Sequence, residues 1–551
     1  MKGRTASFSL SPVHPDTVKQ IICQLKNSKA SGIDNIDTYV IKLIADEIVP
    51  VITHIVNLSI QEASFPKSYK IAKVIPLFKK GDPLEAKNYR PVALLCIISK
   101  IIERAIFLQI VDFMCKNNLM HPNHHGFRAN HSTATAMIHM YDSWVQAAER
   151  KEVSGVCMLD MSAAFDVVDH GILLGKLKLY GFDDNTVAWV KDYLTGRSQT
   201  VYLDGAFSSK KVVNAGVPQG SILGPLFYLI FTNEFPETVF QCDALNHEMG
   251  YATQCQDCGG LCCFADDSTY SVSSENIQNL SQKLTSRYEI MAQFLSNNKL
   301  KLNQEKTQFL VMATNQRRKA KDISVEIRTN NETIKPVKTA KLLGVEIQDD
   351  LKWSQYILLS DNSLVRQLTS RLSAIKLVCG AASFKERLMM TNGLFCSKLI
   401  YQICLWGGAE DYLLQSLQKV QNRAVRFVAK SRENPSLSLM FRSCGWLNVR
   451  QLVFYHSNVL IHKVLLTSQP QYIHERLPTE FTCNTRLAAS NSLRVALTKR
   501  ANLSLTGNSF INRSIKSYNL IPAELRQLTS LTTFKSKLKI WVAENYKSVY
   551  N

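Results

Sequence analysis

The sequence has no apolar run long enough to cross a lipid bilayer. A membrane-spanning helix needs about 20 consecutive apolar residues, and even the apolar stretch 97–102 (IISKII) is interrupted by Lys100. The first residues, MKGRT, contain no apolar segment of the kind found in secretory signal peptides. Internal repeats and low-complexity linkers are also missing from the sequence. We therefore expect a globular protein without a membrane anchor that works inside the cell, in the nucleus and/or the cytoplasm.

Acidic residues are scarce relative to basic ones. The 551 residues include 65 Lys and Arg but 45 Asp and Glu, so the formal net charge is +20. The surplus is spread along the chain and suits a long polyanionic partner such as a nucleic acid. A basic protein whose charge only keeps its copies apart would have the same composition. The length predicts two to four domains or subdomains.

The 14 cysteines are scattered, which favours reduced thiols over a disulfide framework. One segment departs from this pattern, because two of its cysteines have the spacing of zinc ligands. A structural zinc site there would use Cys242, Cys255, Cys258 and Cys262, with His247 as an alternative ligand. In the other interpretation, Cys262 and Cys263 are small hydrophobic residues of an apolar strand.

The hydrophobic pattern predicts a mixed fold of the α+β class. Apolar residues recur at helical spacing in several segments, and short apolar runs indicate strands. The predicted elements are helices over 15–64 with a break at 31–34, a strand over 73–78, helices over 93–117 and 171–193, and amphipathic helices after about 360. A strand that ends at Asp160 and a hairpin around Asp266 would complete a sheet with helices beneath it.

Three aspartates are candidate metal ligands. Asp160 ends the apolar run 156–159 (VCML), and Asp266 and Asp267 follow a second apolar run. Magnesium prefers oxygen ligands and is usually held by a few carboxylates together with substrate phosphates. Two ions held in this way can catalyse nucleotidyl transfer. An isolated Asp-Asp pair is more often a turn or a solvated surface pair, so the interpretation needs a second signal.

The second signal is residues 214–226 (NAGVPQGSILGPL), which lie between the two acidic motifs. Glycine lets a backbone come close to a flat ligand, and the amide of Gln219 could form a hydrogen bond with a nucleotide. The alternative is an ordinary Gly/Pro loop that caps a helix.

Together with residues 159–166 (LDMSAAFD) and 264–267 (FADD), this loop resembles the reverse transcriptases of non-LTR (LINE-type) retrotransposons of the jockey-like group. Other segments resemble further motifs of that family in the same order. Upstream these are 65–70 (FPKSYK), 74–82 (VIPLFKKGD), 88–92 (NYRPV) and 126–128 (GFR). Downstream they are 300–307 (LKLNQEKT), 341–345 (KLLGV), 405–407 (LWG) and 518–522 (YNLIP).

The resemblance implies a right-hand polymerase with fingers, palm and thumb and a mostly helical C-terminal region. The expected divisions are a helical extension over 1–64, fingers and palm over 65–345, a thumb-like region over 346–440 and a helical region over 441–551. The implied activity is that of an RNA-directed DNA polymerase that extends a DNA 3′ end using two Mg²⁺ ions. Its implied partners are an RNA template, a DNA primer, their hybrid and deoxynucleoside triphosphates, and no membrane.

The resemblance also assigns roles to individual residues. The implied metal ligands are Asp160, Asp266 and Asp267, and Lys306 matches the palm lysine that could protonate the departing pyrophosphate. The implied nucleotide contacts are Arg90, Lys80, Phe165, Gln219 and Gly220. The ring of Phe165 would collide with a 2′-hydroxyl and so select DNA synthesis. The alternatives are a solvated charge at Lys306 and ordinary core packing at Phe165.

The sequence departs from the family pattern at two motif positions. Phe264 stands where tyrosine is usual, and Ala163 stands where lysine is common. We also expect a fragment, because no endonuclease domain precedes the polymerase motifs and no zinc knuckle follows them. A catalytically inactive, retroelement-derived nucleic-acid-binding protein is the alternative function. An RNA-dependent RNA polymerase is a further one, which Phe165 disfavours.

Basic side chains outside the motifs are candidate phosphate contacts, with solvated surface charges as the alternative. They are Arg317, Arg318, Lys319, Lys321, Arg423 and Arg426. Four histidines are predicted to lie in a polar loop that touches the template, with metal binding as the alternative. They are His121, His124, His125 and His131.

Overall fold

A computed structural model of the chain describes residues 6–28, 30–162, 164–240, 259–303, 306–320, 323–329, 333–430, 435–477, 507 and 509–550. The chain forms two units, each built from segments that are distant in sequence. Unit 1 consists of Met1–Phe127, Asp160–Gln241 and Ile290–Glu305. Unit 2 consists of Arg128–Leu159, Cys242–Glu289 and Lys306–Asn551. In these described ranges, no helix is both long enough and apolar enough to span a bilayer.

Helices account for most of the regular structure. The α-helices before residue 300 are α1 Pro15–Gln24, α2 Thr38–Leu43, α3 Ala45–Gln61, α4 Ile97–Lys116, α5 Thr133–Glu149, α6 His170–Leu179, α7 Asp184–Leu194, α8 Leu223–Thr232 and α9 Ile277–Asn297. Those after residue 300 are α10 Asn315–Ala320, α11 Leu364–Cys379, α12 Phe384–Thr391, α13 Ser397–Ile400, α14 Ile403–Trp406, α15 Asp411–Ala429, α16 Leu437–Ser443, α17 Val449–Thr467, α18 Gln471–His474, α19 Phe510–Asn519, α20 Ala523–Arg526 and α21 Leu531–Tyr550.

The strands are shorter and lie in the first 350 residues. They are β1 Ile71–Phe78, β2 Tyr89–Leu94, β3 Val153–Leu159, β4 Met161–Ser162, β5 Arg197–Leu203, β6 Ala206–Phe207, β7 Lys211–Val213, β8 Gly260–Phe264, β9 Asp267–Ser274, β10 Lys301–Leu302, β11 Gln308–Met312, β12 Ile327–Arg328, β13 Thr333–Ile334, β14 Thr339–Leu342 and β15 Val345–Gln348.

Unit 1 contains a five-stranded sheet in the order β2-β1-β5-β6, with β7 paired to β5. β1 pairs antiparallel with β2 and parallel with β5. The charged turn between β1 and β2 lets the chain reverse in solvent, while Val74 and Ala93 pack below it. Lys73 is buried in β1, and its ammonium lies 4.1 Å from the ring centre of Tyr202. That ring face stabilises a charge that burial would otherwise disfavour.

Unit 2 contains an antiparallel sheet in the order β11-β3-β9-β8. Every residue of β3 is buried, because β11 and β9 flank it and α5 packs on the sheet. A single apolar cluster joins this sheet to the C-terminal helices, and it includes Trp144, Val156, Leu310, Trp406 and Leu538. The central strand of the sheet therefore shares its core with helix α21 at the C-terminal end of the described chain.

The predicted mixture of helices and sheets is present, and the sheet of unit 2 is antiparallel, as is typical of the α+β class. The helix-rich segment 15–64 is present as α1, α2 and α3. The helix expected over 93–117 begins four residues later, because β2 continues to Leu94 and Ala93 N donates to Gln219 O at 3.0 Å. The helical stretch 171–193 is two helices, α6 and α7, with Gly181 at φ 90° in the turn between them.

Candidate active site

The acidic pair Asp266 and Asp267 lies at the tip of a hairpin in unit 2. β8 ends at Phe264 and β9 begins at Asp267, with Ala265 in the turn at φ 56°. A residue with a Cβ adopts this left-handed conformation at a cost of about 1 kcal/mol, which the surrounding strand pairing must offset. Both carboxylates are exposed, whereas the strand residues below them are buried. The hairpin thus presents two acids on a rigid base.

Strand β3 leads directly into Asp160. In the β3–β9 ladder, Leu159 lies opposite Ser268. Asp160 follows Leu159 in the chain, and Asp267 precedes Ser268. The end of β3 that leads into Asp160 therefore lies beside the end of β9 that begins with Asp267. Convergence of the three carboxylates on shared ions stays a prediction.

Asp160 itself belongs to unit 1, where it is half-buried. Its backbone carbonyl accepts a hydrogen bond from Asn303 N at 2.8 Å. Beyond it, β4 pairs with β10, with Met161 opposite Leu302. These contacts fix the backbone at Asp160 and immediately after it.

Across the part of the chain that the structure describes, no three His, Cys, Asp or Glu side chains are grouped as a metal site. Magnesium usually keeps several waters and takes one or two protein carboxylates together with substrate phosphates. Exposed carboxylates such as Asp266 and Asp267 supply the oxygen ligands that this ion prefers. The donor set fits magnesium, and a cage made of protein ligands alone is not expected for it.

The loop before α8 is held in place by its backbone. Gly216 N donates to Val168 O at 2.9 Å, and Val217 N donates to Phe165 O at 2.8 Å. Gly220 has a φ of 110°, and a Cβ at this position would lie 2.4 Å from Ala93 O. Only glycine fits such a close approach of two backbone segments. The loop is therefore clamped between the segment after Asp160 and strand β2.

The side chain of Gln219 is held as well. Its Nε2 donates to Asp166 Oδ1 at 2.8 Å. Both residues line a cavity of about 260 Å³ in unit 1, between the five-stranded sheet and the loop. Its walls include small residues such as Ala72 and Gly216 together with the polar residue Gln199. The cavity has room for a flat group next to the glutamine amide.

A buried carboxylate anchors the helix that follows the loop. Glu103 accepts hydrogen bonds from Ile222 N at 2.7 Å and from Leu223 N at 3.4 Å. These N–H groups lie at the N-terminal end of α8, where backbone donors have no partner within the helix. Burial raises the pKa of the Glu103 carboxyl, and the hydrogen bond from Ile222 N opposes that rise. Glu103 thus ties α4 to the loop that carries Gln219.

The comparison with known families bears on these same elements. The family described as reverse transcriptase (RNA-dependent DNA polymerase) matches residues 78–347. This range contains the acidic hairpin, Asp160 and the clamped loop. Residues 78–347 form a reverse transcriptase domain.

Two curated relatives of the chain come from mobile elements of Drosophila melanogaster. The probable RNA-directed DNA polymerase from transposon BS is 27% identical over 426 residues, which cover 77% of this chain and 45% of that protein. The RNA-directed DNA polymerase from mobile element jockey is 27% identical over 424 residues, covering 77% of this chain and 44% of that protein. The resemblance to jockey-like non-LTR reverse transcriptases is confirmed, and the chain spans less than half the length of these relatives.

Among solved structures, an apo telomerase from Candida tropicalis is similar to this chain at 14% identity with a TM-score of 0.33. The alignment covers 52% of this chain and 55% of the telomerase chain. This likeness is too low to bear on fold or function.

Within the reverse transcriptase domain, Phe165 is half-buried and packs against other aromatic rings. Core packing was the alternative interpretation of this residue. Its ring stacks on Tyr228 with centroids 4.6 Å apart and meets Phe127 edge-on at 5.9 Å. Tyr228 in turn reaches Met161 Sδ at 3.7 Å. A ring supported on two sides is rigid, which steric selection of a sugar would also require.

The predicted triphosphate contacts lie on the β1–β2 hairpin. Arg90 is exposed in β2, opposite Leu77, and Lys80 is exposed in the turn. Lys306 is exposed just before β11 in unit 2. The roles of these three cations stay predictions.

The zinc hypothesis falls mostly outside the described residues, which include neither Cys242, Cys255, Cys258 nor His247. Cys262 is buried in β8 and packs in the apolar core cluster of unit 2. Burial raises its thiol pKa well above the usual range, as it does for the buried thiol of Cys263. Both cysteines behave as small hydrophobic residues here. Ala163, where the family often has lysine, also lies outside the described residues.

The expected polar loop of histidines is wrong for three of the four. His121, His124 and His125 are buried, so they cannot touch a template. The backbone N of His121 donates to Asn233 Oδ1 at 2.9 Å, and the His124 ring is hydrogen-bonded to Thr232 O. They tie the segment before α5 to the end of α8.

Two residues of the basic cluster after β11, Arg317 and Arg318, contact other parts of unit 2, and Lys321 lies outside the described residues. Arg318 forms an ion pair with Asp349 at 3.1 Å and donates to Val311 O, while Arg317 donates to Glu275 O at 2.8 Å. Arg318 therefore has a structural role, and its predicted phosphate contact stays a prediction. Arg423 and Arg426 are exposed on α15.

Two motifs that follow the acidic hairpin meet at one tyrosine in unit 2. The turn of the β14–β15 hairpin places Leu343 and Gly344 at positive φ. Tyr401 Oη donates to Leu343 O at 2.7 Å, and Trp406 Nε1 donates to Tyr401 O at 2.9 Å. Tyr401 thus joins the 341–345 motif to the 405–407 motif.

Sequence reasoning missed Glu103, Asp166 and Tyr401. Asp166 was visible as the last residue of the LDMSAAFD motif, although nothing in the sequence linked it to Gln219. Glu103 and Tyr401 carried no sequence signal, since their partners are distant in the chain.

Proposed function

We propose that this chain is an RNA-directed DNA polymerase that extends a DNA 3′ end on an RNA template. The observation that carries the proposal is the β3–β9 register, which brings the strand leading into Asp160 beside the strand that begins with Asp267. Acids at neighbouring strand ends are suited to hold two divalent ions. The reverse transcriptase match and the relatives named above support the same conclusion.

The ligands for Mg²⁺ would be Asp160, Asp266 and Asp267. When bound, the ions lower the pKa of the attacking hydroxyl and stabilise the charge on the leaving group. The chain's own residues position the reactants. Arg90 and Lys80 would attract the triphosphate, and a planar arginine can bind phosphate oxygens in pairs. Lys306 would supply a proton to the departing pyrophosphate.

The same proposal includes the fold at finer detail. A right-hand arrangement would place the β1–β2 hairpin in the fingers and the β3–β9 sheet in the palm, with the helices from α11 onward as thumb and C-terminal region. Partners would be an RNA template, a DNA primer, their hybrid and deoxynucleoside triphosphates. The positive net charge supports binding of these polyanions.

We also propose an intracellular site of action, in the nucleus and/or the cytoplasm. All ten cysteines in the described part of the chain are free thiols. Free thiols are typical of reducing compartments.

The test is primer extension by the purified full chain with a DNA primer on an RNA template. Asp266→Asn keeps the shape of the side chain but removes its charge, so extension should fall by about a thousandfold or more. Binding of the RNA–DNA hybrid should change by less than about threefold. Asp361→Asn is the matched control. Asp361 is an exposed carboxylate of unit 2, and within the described residues its ion pair is with Arg366.

Extension by Asp266→Asn at the wild-type rate would refute the proposal. A wild-type chain that binds the hybrid tightly but never extends the primer would instead support an inactive nucleic-acid-binding protein. Incorporation of ribonucleotides in preference to deoxynucleotides would support an RNA polymerase.

A further inference from the structure

A cavity of about 440 Å³ lies in unit 2, after the end of the reverse transcriptase match. It is formed by the turn between α14 and α15, the start of α15 and residues of α17 and α19. Its volume is within the range of pockets that bind small organic ligands. The lining includes the charged residues Glu410, Asp411, Arg450 and Arg513 and the apolar residues Leu414 and Phe454. The cavity is therefore large enough for one nucleobase.

The glycine of the 405–407 motif gives this cavity its shape. A Cβ at Gly407 would lie 2.7 Å from Arg513 Nη1 and 2.6 Å from Val453 Cγ1. Arg513 Nη2 donates to Cys404 O at 2.7 Å, which holds the guanidinium against the motif. A side chain at 407 would have to displace Arg513 or Val453, and both line the cavity. The absence of a side chain at 407 therefore keeps the cavity in this shape.

The charged groups around the cavity balance each other. The lining contains the carboxylates of Glu410 and Asp411 and the guanidinium groups of Arg450 and Arg513. Their formal charges cancel, so an anion such as a phosphate gains no net attraction from the lining. A neutral ligand that carries both hydrogen-bond donors and acceptors suits this lining better, because it can satisfy both kinds of group.

Arg450 and Glu410 offer opposite hydrogen-bonding groups. Arg450 Nη2 lies 2.8 Å from Asp411 Oδ1, and this ion pair holds a planar group that has several further N–H donors. Glu410 Oε1 lies 3.8 Å from Lys352 Nζ, which is longer than a hydrogen bond, so the carboxylate retains acceptor capacity. Both Arg450 and Glu410 are exposed, so a ligand can reach them. A donor group and an acceptor group thus border the same cavity.

Guanine presents the complementary groups. Its O6 and N7 are acceptors on one edge, and arginine commonly donates to both, while its 2-amino group is a donor. Adenine has an amino donor in place of O6, which would face the donors of Arg450. Bases that are splayed out of single-stranded RNA are recognised by their edges and by contacts of side chains with their faces. Leu414 and Phe454 supply apolar surface in the cavity for such a face.

We propose that this cavity is a binding site for a guanine base. Arg450 donates to O6 and N7, and Glu410 accepts a hydrogen bond from the 2-amino group. The base belongs either to a single-stranded nucleic acid or to a free guanine nucleotide, because both present the same edges. The site lies outside the reverse transcriptase domain and adds a base-specific contact that nucleotidyl transfer does not require.

The experiment measures binding of a labelled RNA heptamer, UUUGUUU, to the full chain by fluorescence anisotropy. An excess of unlabelled RNA–DNA hybrid is present, so that the proposed polymerase site is occupied. Three further heptamers change the central base alone. They carry adenine, 7-deazaguanine, which lacks N7, and hypoxanthine, which lacks the 2-amino group. Guanosine monophosphate is added as a competitor to identify the source of the base.

In the wild type, the guanine heptamer should bind about tenfold more tightly than the adenine heptamer. The 7-deazaguanine and hypoxanthine heptamers should each bind about fivefold more weakly than the guanine heptamer, the range of one hydrogen bond to a charged group. Arg450→Met should abolish the effect of 7-deazaguanine and retain that of hypoxanthine. Glu410→Met should do the opposite. Glu410 precedes α15 without a side-chain capping bond, so this change removes no helix cap.

Arg442→Met is the matched control, because Arg442 is exposed on α16 of the same unit and does not line the cavity. It should leave the dissociation constants of the heptamers in their wild-type ratios, and thermal unfolding shows whether the variants are folded. Equal binding of the guanine and adenine heptamers by the wild type, or no binding of either, would overturn the inference. A guanine preference that persists unchanged in both Arg450→Met and Glu410→Met would do the same, since another site would then be responsible.

The competitor distinguishes the two sources of the base. Guanosine monophosphate that displaces the guanine heptamer with a similar dissociation constant would identify a free nucleotide as the ligand. A heptamer that binds much more tightly than the monophosphate would identify a single strand. Both results support recognition of guanine. Binding is measured without nucleotide addition, so the result does not depend on whether the chain extends a primer.

Discussion

Carboxylates in this protein differ in role because they differ in burial. Asp266 and Asp267 are exposed at a hairpin tip, where water and ions can reach them. Asp142 is buried on α5 in unit 2, where it accepts from Phe510 N at 3.2 Å and Ile511 N at 3.3 Å. These N–H groups begin helix α19, so Asp142 caps a helix that lies far away in the sequence.

Asp142 should make stability depend on pH. Burial raises its pKa to about 6, against the opposing charges of Arg476 and Arg513 and the two hydrogen bonds. Since the folded-state pKa lies above the unfolded value of about 3.9, folding takes up a proton between these values. The contribution of Asp142 to the free energy of unfolding is fully present below about pH 4. It is lost as the pH rises through 6, and the loss is on the order of 3 kcal/mol.

Asp142→Asn keeps an acceptor for the helix and removes the charge. Relative to the wild type, the variant should therefore gain stability as pH increases from 4 to 7. Unfolding midpoints in urea at several pH values measure this difference, and groups that titrate in both proteins cancel. Parallel stability curves for the two proteins would contradict the prediction.

At the scale of elements, the clamped loop depends on a glycine that other residues cannot replace. Gly220 combines a φ of 110° with a backbone oxygen 2.4 Å from the position of a Cβ. A side chain at this position would push the loop away from β2 and would also strain the backbone. The position of Gln219 is therefore set by the whole loop and not by one contact.

Gly220→Ala should reduce affinity for a primer–template duplex by about tenfold or more and cost about 2–4 kcal/mol in stability. Gly175→Ala is the matched control in the same unit, because Gly175 lies within α6 and a Cβ there would meet nothing within 4 Å. The control should be more stable by about 0.5–1 kcal/mol. Binding titrations and thermal unfolding of both variants measure the contrast, and equal affinities would argue against the clamp.

At the scale of the whole molecule, the sheet that carries the acidic hairpin does not have a core of its own. The apolar cluster of unit 2 includes Val156 of β3 and Cys262 of β8, and it extends to Val542 of α21. The reverse transcriptase match ends at residue 347, whereas this cluster continues for almost 200 residues beyond it. The C-terminal helices are therefore part of what keeps the sheet folded.

A chain that ends after residue 347 should fail to fold cooperatively, because it leaves the apolar faces of α5 and β14–β15 uncovered. A chain that ends after residue 528 loses α21 alone and should retain a cooperative transition at a lower temperature. Soluble yield and thermal unfolding of the three lengths measure this. A sharp, wild-type-like transition for residues 1–347 would show that the domain folds alone.

How much the sequence could predict depended on how local each feature is. The acidic pair, the Pro-Gln-Gly loop and the helix-rich start were predicted, because each consists of neighbouring residues with a characteristic pattern. The contacts of Glu103 with Ile222 and of Asp142 with Phe510 span 119 and 368 residues, so no local pattern could indicate them. The buried histidines were misplaced for the same reason, since their partners come from the end of α8.

The sequence by itself determined the chemistry available to this protein: which acids, cations and glycines stand in which motif, and the family they match. Those properties follow from residue identity and short-range spacing, which do not change with folding. The tertiary structure alone decided that Gln219 is hydrogen-bonded to Asp166, that Glu103 anchors α8 and that the last helix shares a core with the acidic sheet. The burial of a side chain and its hydrogen-bond partners are decided only when distant segments pack together. Packing decides which groups are shielded from water and which lie within hydrogen-bonding distance of each other.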